Sequence, residues 1–198
     1  MTNGGRTLPA ERLPIRFLWL DVDGSLSDGR LSYLELPDGV SRTPGPSVAR
    51  MVSFDSHDGH GLAMLRAAGV NFGFISGNSS EAVRARAEKL GAAECWLGVT
   101  DKVKTISKLL PLAFDASPVC RGESVLRATA YVGDDLNDIE AMLACGLAFA
   151  PADAMPCAKA AAHYVTDLPG GHGAAREVCE WILQWGLHLG PKSGGGVR

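Results

Sequence analysis

Short runs of apolar residues recur along the chain. Several of them lack the alternation of apolar and polar positions that is typical of a strand with one solvent-exposed face. Such runs are typical of strands that are buried on both faces in a parallel sheet. The predicted strands are Phe17–Leu20, Val70–Ile75, Cys95–Leu97, Ala128–Val132 and Leu147–Ala150. The pattern therefore predicts a central parallel sheet.

Segments with helical periodicity fill the intervals between these strands. Ser80–Leu90 is predicted as a helix that Asn78 caps and Gly91 ends. Further helices are predicted over Asp138–Cys145 and Arg176–Trp185, and the second carries an apolar stripe at helical spacing. This alternation predicts a three-layer, Rossmann-like α/β fold, in which ligands bind beyond the carboxyl ends of the strands.

Three kinds of segment depart from the alternation. Arg30–Phe54 contains two Pro- and Gly-rich turns and is predicted as a β-hairpin flap after the first strand, serving as a lid or an oligomer contact. Pro111–Arg127 is predicted as a surface loop. The first dozen residues and Pro191–Arg198 are expected to be loose tails. We expect one domain over residues 1–198, with its core at about residues 15–186.

Composition limits the partners and the location of the protein. The 198 residues are 46% hydrophobic, and their formal net charge of −3 offers no basic excess for a nucleic-acid backbone. No apolar run reaches the roughly 18 to 20 residues that span a bilayer, and the N-terminus lacks the apolar stretch of a secretory signal. The five cysteines form no C-x-x-C pair and are expected to be reduced. We therefore expect a cytoplasmic protein with no nucleic-acid or membrane partner.

Acidic residues follow two of the predicted strands directly. Asp21 and Asp23 come after the first strand, and a run from Gly133 to Asp138 follows a later one. Capping explains part of this pattern, since Asp135 or Asn137 suits a helix N-cap and Asp23 suits a turn, but it does not explain the whole. Two acidic clusters at one sheet edge predict a site for a hard divalent cation, and we expect this cation to be Mg²⁺.

Two other strand ends supply complementary groups. Ser76 and Gly77 follow one strand and precede a helix N-terminus, whose free N–H groups suit a phosphate. Lys102 stands near the start of a helix after the next strand. The chain thus carries, in order, an acid pair, a hydroxyl, a lysine and a second acidic cluster. These are the groups that phosphoryl transfer through an aspartyl-phosphate requires.

These motifs resemble those of the haloacid dehalogenase superfamily. The run Asp21–Gly29 looks like its nucleophile motif, and Ser76, Lys102 and Gly133–Asp138 stand at its second, third and fourth motifs. A narrower resemblance is to the capless branch of 3-deoxy-D-manno-octulosonate 8-phosphate phosphatases. It rests on Phe54, Asp58, Gly59 and Gly61, on Arg84, Arg86, Ala87, Leu90 and Gly91, on His163–Thr166 and on Gly170–Glu177. The resemblance implies a homotetramer, in which the hairpin packs between subunits and a neighbour's C-terminal segment closes the site.

The resemblance also assigns roles to individual residues. Asp21 would be the nucleophile and a metal ligand, and Asp23 the general acid and base, with its backbone carbonyl as a second ligand. Asp134 would complete the protein's share of the Mg²⁺ shell, while Asp135 and Asp138 would support it. Ser76, Gly77 and Lys102 would bind the transferring phosphoryl group.

The chain departs from the resemblance where it would contact the sugar. Asn78 and His172 occupy two places at which this family commonly carries arginine, which leaves Asn78, His172 and Arg176 as candidate sugar contacts. The expected substrate is 3-deoxy-D-manno-octulosonate 8-phosphate. A neutral octose phosphate or a nonulosonate 9-phosphate stays open as an alternative.

Three rival interpretations are weaker. A zinc site at His57 and His60 lacks further ligands at a matching spacing. A phospho-receiver domain would have its acceptor on a later strand than its acid pair. A sugar-phosphate-binding regulatory module would keep the fold without turnover, although all the core acids are present in the chain.

Overall fold

A computed structural model describes residues 3–9, 14–36, 48–113 and 126–184. Its strands are β1 (Phe17–Leu20), β2 (Ser32–Glu35), β3 (Val48–Met51), β4 (Asn71–Ser76), β5 (Glu94–Leu97), β6 (Thr129–Val132), β7 (Leu147–Ala150) and β8 (Tyr164–Val165). Its helices are α1 (Ser56–Ala67), α2 (Glu81–Leu90), α3 (Lys102–Ala113), α4 (Ile139–Ala144), α5 (Pro156–Ala161) and α6 (Ala174–Gln184), with a 3₁₀ turn at Leu136–Asp138.

A parallel sheet forms the centre of the molecule. The order of its described strands is β5-β4-β1-β6-β7-β8. The register places Leu20 between Phe74 of β4 and Val132 of β6, so the carboxyl ends of these three strands lie side by side. All five predicted strands are present and parallel, which confirms the predicted sheet. The short edge strand β8 was not predicted.

Helices cover both faces of this sheet. Leu18 and Leu20 of β1 pack into a core with side chains of α1, α2 and α6, whereas Phe17 and Trp19 pack into a second core with α3, α4 and α5. Successive strand residues point to opposite faces, so a strand covered on both sides must be apolar throughout. The three-layer α/β prediction is therefore confirmed.

Three features of the helices differ from the predictions, besides the start of α6, which is Ala174 and not Arg176. Ser80, not Asn78, caps α2, because the Ser80 hydroxyl accepts from the Val83 backbone N–H. The segment predicted as one helix from Asp138 begins as a 3₁₀ turn that Asp135 caps. Pro111 was predicted to lie in a loop, but α3 continues through it to Ala113. The rest of that predicted loop, up to residue 125, lies outside the described residues.

The predicted hairpin is confirmed, and the N-terminal tail is corrected. β2 and β3 pair antiparallel apart from the main sheet, and residues 37–47 between them lie outside the described residues. Residues 3–6 are not loose, because the Arg6 N–H donates to Ala162 and the Asn3 amide exchanges two hydrogen bonds with the Val165 backbone. The tail at 191–198 lies outside the described residues.

Two further expectations concern cysteines and membranes. Cys95, Cys145, Cys157 and Cys179 are all unpaired, as expected for reduced thiols, while Cys120 lies outside the described residues. Within the described ranges, no helix combines the length and the apolar character that crossing a bilayer requires.

Candidate active site

The predicted chemical groups meet at the carboxyl edge of the sheet. Asp21 follows β1 directly, Ser76 ends the neighbouring β4, and the acidic run follows β6 on the other side. Lys102 begins α3 and points back to the same edge. The strand order β4-β1-β6 brings distant parts of the sequence together, because parallel strands end on the same side.

A buried lysine joins two of the carboxylates. Lys102 Nζ lies 2.5 Å from Asp21 Oδ1 and 2.6 Å from Asp138 Oδ1. All three side chains are at most 5% exposed. A buried lysine is stable only when opposite charges surround it, and here two carboxylates do so.

Asp138 anchors this arrangement and is completely buried. Its Oδ1 also accepts from the Tyr131 hydroxyl at 2.7 Å, and its Oδ2 accepts from the backbone N–H groups of Asp134 at 3.1 Å and Asp135 at 3.4 Å. Gly133 is required here, because a Cβ at that position would stand 2.5 Å from the Asp138 Cβ. Asp138 thus fixes both Lys102 and the loop that carries Asp134.

The carboxylates form the kind of oxygen cluster that binds a divalent cation. One oxygen from each of Asp21, Asp134 and Asp138 lies within 4.8 Å of the others. Three negative charges face one positive charge on Lys102, so two are left over when all are ionised. Carboxylate oxygens suit Mg²⁺, and its double charge matches this excess. The residues therefore fit the predicted metal.

The titration of the site follows from this crowding of charge. Burial raises the pKa of Asp21 well above its usual range, and Asp138 adds to the effect while Lys102 opposes it. Burial, Asp138 and Asp135 raise the pKa of Asp134 to about 7. Burial alone would lower the pKa of Lys102, but the two carboxylates outweigh it and the pKa is raised.

Asp23 is held by donors from three parts of the chain. Its Oδ2 accepts from the Ser76 hydroxyl at 3.1 Å and from the Asn78 amide at 3.0 Å. Its Oδ1 lies 2.5 Å from Arg50 Nη2, on strand β3 of the hairpin. Ser76 Oγ also accepts from the Asn78 backbone N–H, so this corner is a connected network. Sequence reasoning missed Arg50.

The glycine-rich loop before α6 packs directly on the loop after β1. The Gly171 N–H donates to Ser25 O at 3.2 Å, and a Cβ at Gly170 would stand 1.9 Å from Gly24 O. Gly24 in turn faces Asp134, whose Oδ2 would lie 2.1 Å from a Cβ at that position. These glycines allow the backbones to approach closely enough to close the site.

The remaining predicted site residues lie around this centre. Asp135 is exposed and caps the 3₁₀ turn, accepting from Leu136 N–H at 2.6 Å. His172 is exposed in the glycine-rich loop before α6. The guanidinium of Arg176 is directed along α6, with its Nε 2.6 Å from Glu180. Among the described residues, the side chains grouped closely enough to hold a metal ion are those of Asp21, Asp134 and Asp138, and neither His57 nor His60 belongs to this group.

The sequence analysis assigned no role to two residues that hold parts of the site in place, Asp58 and Tyr131. Asp58 is buried and accepts from the backbone N–H groups of Gly173 and Arg176, so it caps α6 from α1. Tyr131 holds Asp138 from inside β6. Asp58 stands in the sequence motif that carries the family resemblance, but that motif does not indicate a cap for α6, and Tyr131 has the sequence pattern of an ordinary strand residue.

Comparisons with known proteins agree with this geometry. Residues 124–178 match the family model described as haloacid dehalogenase-like hydrolase. The 3-deoxy-D-manno-octulosonate 8-phosphate phosphatases KdsC of Yersinia pestis and of Escherichia coli K12 are each 37% identical over 169 residues. That span is 85% of this chain, and 80% and 79% of the two relatives.

Solved structures give the same result. The Moraxella catarrhalis phosphatase in complex with magnesium, phosphate and KDO aligns with a TM-score of 0.71 and 32% identity, over 86% of both chains. The cobalt-bound Haemophilus influenzae phosphatase YrbI aligns with a TM-score of 0.70 and 34% identity, over 86% of this chain and 88% of that one. This sequence identity over most of both chains, together with the similarity of the folds, places the chain in the 3-deoxy-D-manno-octulosonate 8-phosphate phosphatase family of haloacid dehalogenase-like hydrolases.

Proposed function

We propose that this protein hydrolyses the phosphate monoester of 3-deoxy-D-manno-octulosonate 8-phosphate. The observation that carries the proposal is Asp21, a buried carboxylate at the end of the central strand with Lys102 in direct contact. The relative from Yersinia pestis, 37% identical to this chain over 80% of its own length, bears the name of that activity. The reaction class and the substrate therefore have independent support, one from the site and one from the family.

Asp21 is the nucleophile in this proposal. Its carboxylate attacks the phosphorus atom, the bond from phosphorus to the sugar oxygen breaks, and an aspartyl-phosphate forms. Lys102, held by Asp138, offsets the charge that builds on the phosphoryl oxygens. Ser76 and the backbone of Gly77, at the end of β4, bind the same oxygens in this scheme.

Asp23 is the general acid and then the general base. It donates a proton to the departing sugar oxygen, and afterwards removes one from the water that hydrolyses the aspartyl-phosphate. Ser76 and Asn78 support this role, since their hydrogen bonds fix the orientation of the Asp23 carboxylate. Asp23 itself follows the nucleophile by two residues in the sequence.

Asp21, Asp134 and the backbone carbonyl of Asp23 would hold Mg²⁺. When bound, the ion supplies positive charge that orients the phosphoryl group and stabilises charge on its oxygens. Asp138 takes a supporting role because Lys102, Tyr131 and two backbone N–H groups occupy its oxygens. Asp135 supports the loop as a cap.

Asn78 and His172 are proposed to contact the sugar, since Asn78 binds Asp23 and His172 is exposed in the glycine-rich loop that packs on the loop after β1. Arg176 is proposed as a third sugar contact; its backbone N–H donates to Asp58, and its side-chain Nε pairs with Glu180 in the structure.

We also propose a homotetramer of single-domain subunits, with a core at about residues 15–186, in the cytoplasm. The hairpin supports the assembly because it leaves Leu31, Tyr33, Leu34, Val48 and Met51 at least half exposed. Such a patch is typical of an interface. Light scattering on the eluting protein should give four times the chain mass, and a monomer would contradict the assembly.

A panel of sugar phosphates tests the proposed substrate. Phosphate release with Mg²⁺ is compared for 3-deoxy-D-manno-octulosonate 8-phosphate, a nonulosonate 9-phosphate and a neutral octose phosphate. The proposal expects the highest kcat/KM for the first. A higher kcat/KM for either other sugar would assign the alternative substrate, and release from none of them would favour a binding role.

A further inference from the structure

The hairpin places a positive charge inside the active site. Arg50 lies on β3, in register with Tyr33 of β2, and its side chain is 23% exposed. Its Nη2 lies 2.5 Å from Asp23 Oδ1. The residues of β2 and β3 are exposed or half-buried, and the Arg50 side chain connects this hairpin to Asp23 of the site.

One donor of the Arg50 guanidinium has no acceptor among the described residues. Arg50 Nε is buried from solvent and unpaired there, although Nη2 is bound to Asp23. A buried N–H group without an acceptor costs free energy, so such a group in an active site indicates a place for a ligand oxygen. A guanidinium group suits a carboxylate or a phosphoryl group because two of its N–H groups can donate to two oxygens of the same ligand group at once.

The charges around Arg50 lead to the same expectation. In the described part of the chain, Lys102 and Arg50 are the cations in ion pairs with the acids of the site. Lys102 is enclosed by Asp21 and Asp138, whereas Arg50 touches one carboxylate and keeps contact with solvent. Arg50 is therefore the cation that has donors free for an incoming anion.

The other donors to Asp23 lie at the end of a core strand and just beyond it. Ser76 is the last residue of β4, and Asn78 is two residues on. Arg50 instead comes from a two-stranded hairpin outside the main sheet. A guanidinium on such an element can turn from Asp23 to a ligand without disturbing the core.

We propose that Arg50 is a substrate-binding residue that receives an anionic oxygen group of the sugar phosphate, with its free Nε as the first donor. The inference rests on the proposed function, because it takes the ligand to be a phosphorylated sugar acid. The anionic group is either the sugar carboxylate or the phosphoryl group. The hairpin then contributes directly to substrate recognition.

Binding measurements test this inference independently of turnover. Calorimetry with Mg²⁺ measures the Kd of two probes, inorganic phosphate and free 3-deoxy-D-manno-octulosonate, for the wild-type protein, Arg50→Met and Arg50→Lys. A charged hydrogen-bonding pair is worth about 1.5–3 kcal/mol, so Arg50→Met should weaken the relevant probe about 10- to 100-fold. Arg50→Lys keeps the charge without the fork and should recover part of the loss.

The matched control is Arg30→Met. Arg30 precedes the same hairpin, is 85% exposed, and stands 3.9 Å from Asp28. Its replacement should leave both Kd values within about twofold, since exposed ion pairs contribute little. Thermal unfolding of each variant checks that the fold is kept.

The two probes identify the source of the anion. Weaker binding of the sugar acid alone assigns Arg50 to the carboxylate, and weaker binding of phosphate alone assigns it to the phosphoryl group. If Arg50→Met binds both probes as the wild type does, the inference is wrong and Arg50 serves the hairpin alone. If the wild-type protein binds both probes but hydrolyses no sugar phosphate, the proposed function fails while the test of Arg50 stands.

Discussion

Replacing Asp138 by asparagine tests how the site is held together. The change keeps the shape of the side chain but removes its charge and turns one acceptor oxygen into a donor group. Asp138 accepts from Lys102, from Tyr131 and from two backbone N–H groups, and it is completely buried. An asparagine amide cannot satisfy all of these donors, so at least one buried group loses its partner.

The expected loss of folding free energy depends on the partner that Lys102 keeps in the variant. Breaking a buried ion pair typically costs 3–5 kcal/mol, and we expect the lower end, about 3 kcal/mol, because Lys102 keeps Asp21 as a partner. For a protein of this size, that corresponds to a fall in Tm of about 6–12 °C. The loss should be smaller in EDTA, because removing one of three neighbouring carboxylates relieves repulsion that Mg²⁺ otherwise neutralises.

Urea unfolding with saturating Mg²⁺ measures the free energy, and Asp135→Asn serves as the control. Asp135 is a neighbouring acid that caps the 3₁₀ turn at the surface, and asparagine is also a good cap. That variant should stay within about 1 kcal/mol of the wild type. An Asp138→Asn protein as stable as the control would refute Asp138 as the anchor of Lys102.

Three further predictions follow from other parts of the molecule. His163 is buried with its pKa lowered from 6.5 to about 4, so its contribution is present above pH 6.5 and is lost as the pH falls towards 4. The wild type should lose about 2 kcal/mol between pH 8 and pH 5 that His163→Gln does not lose, and equal losses in urea unfolding would contradict this. Asp23→Asn should accumulate phosphate on Asp21 with p-nitrophenyl phosphate, whose leaving group needs no proton, and a mass spectrum without the phosphorylated species would count against this assignment. Gly170→Ala should lower kcat about 100-fold, because its Cβ would displace Gly24 O, and unchanged kinetics would show that the loop yields.

The sheet was predictable because burial on both faces leaves a clear mark in sequence. The predicted bounds of β1 and β7 agree with the structure, and the other strands differ by one residue or two. The meeting of Asp21, Ser76 and Lys102 also follows from sequence, since parallel strands end at one edge. The edge strand β8 has only two residues and carries no usable pattern.

The errors come from contacts that only the folded chain creates. Asn78 looks like a helix cap, but its side chain binds Asp23 instead, and Ser80 takes the cap. Arg50 gave no signal, because the docking of a hairpin on a distant acid leaves no local periodicity.

The most direct test of the central claim is phosphate release from 3-deoxy-D-manno-octulosonate 8-phosphate by the wild type and by Asp21→Asn, each with Mg²⁺ and with EDTA. We predict release by the wild type with Mg²⁺, and none above background in EDTA or in the variant, because asparagine lacks the nucleophilic carboxylate. Mg²⁺-dependent release that persists in Asp21→Asn would contradict Asp21 as the nucleophile. A wild-type protein that releases no phosphate from this sugar would contradict the proposed substrate.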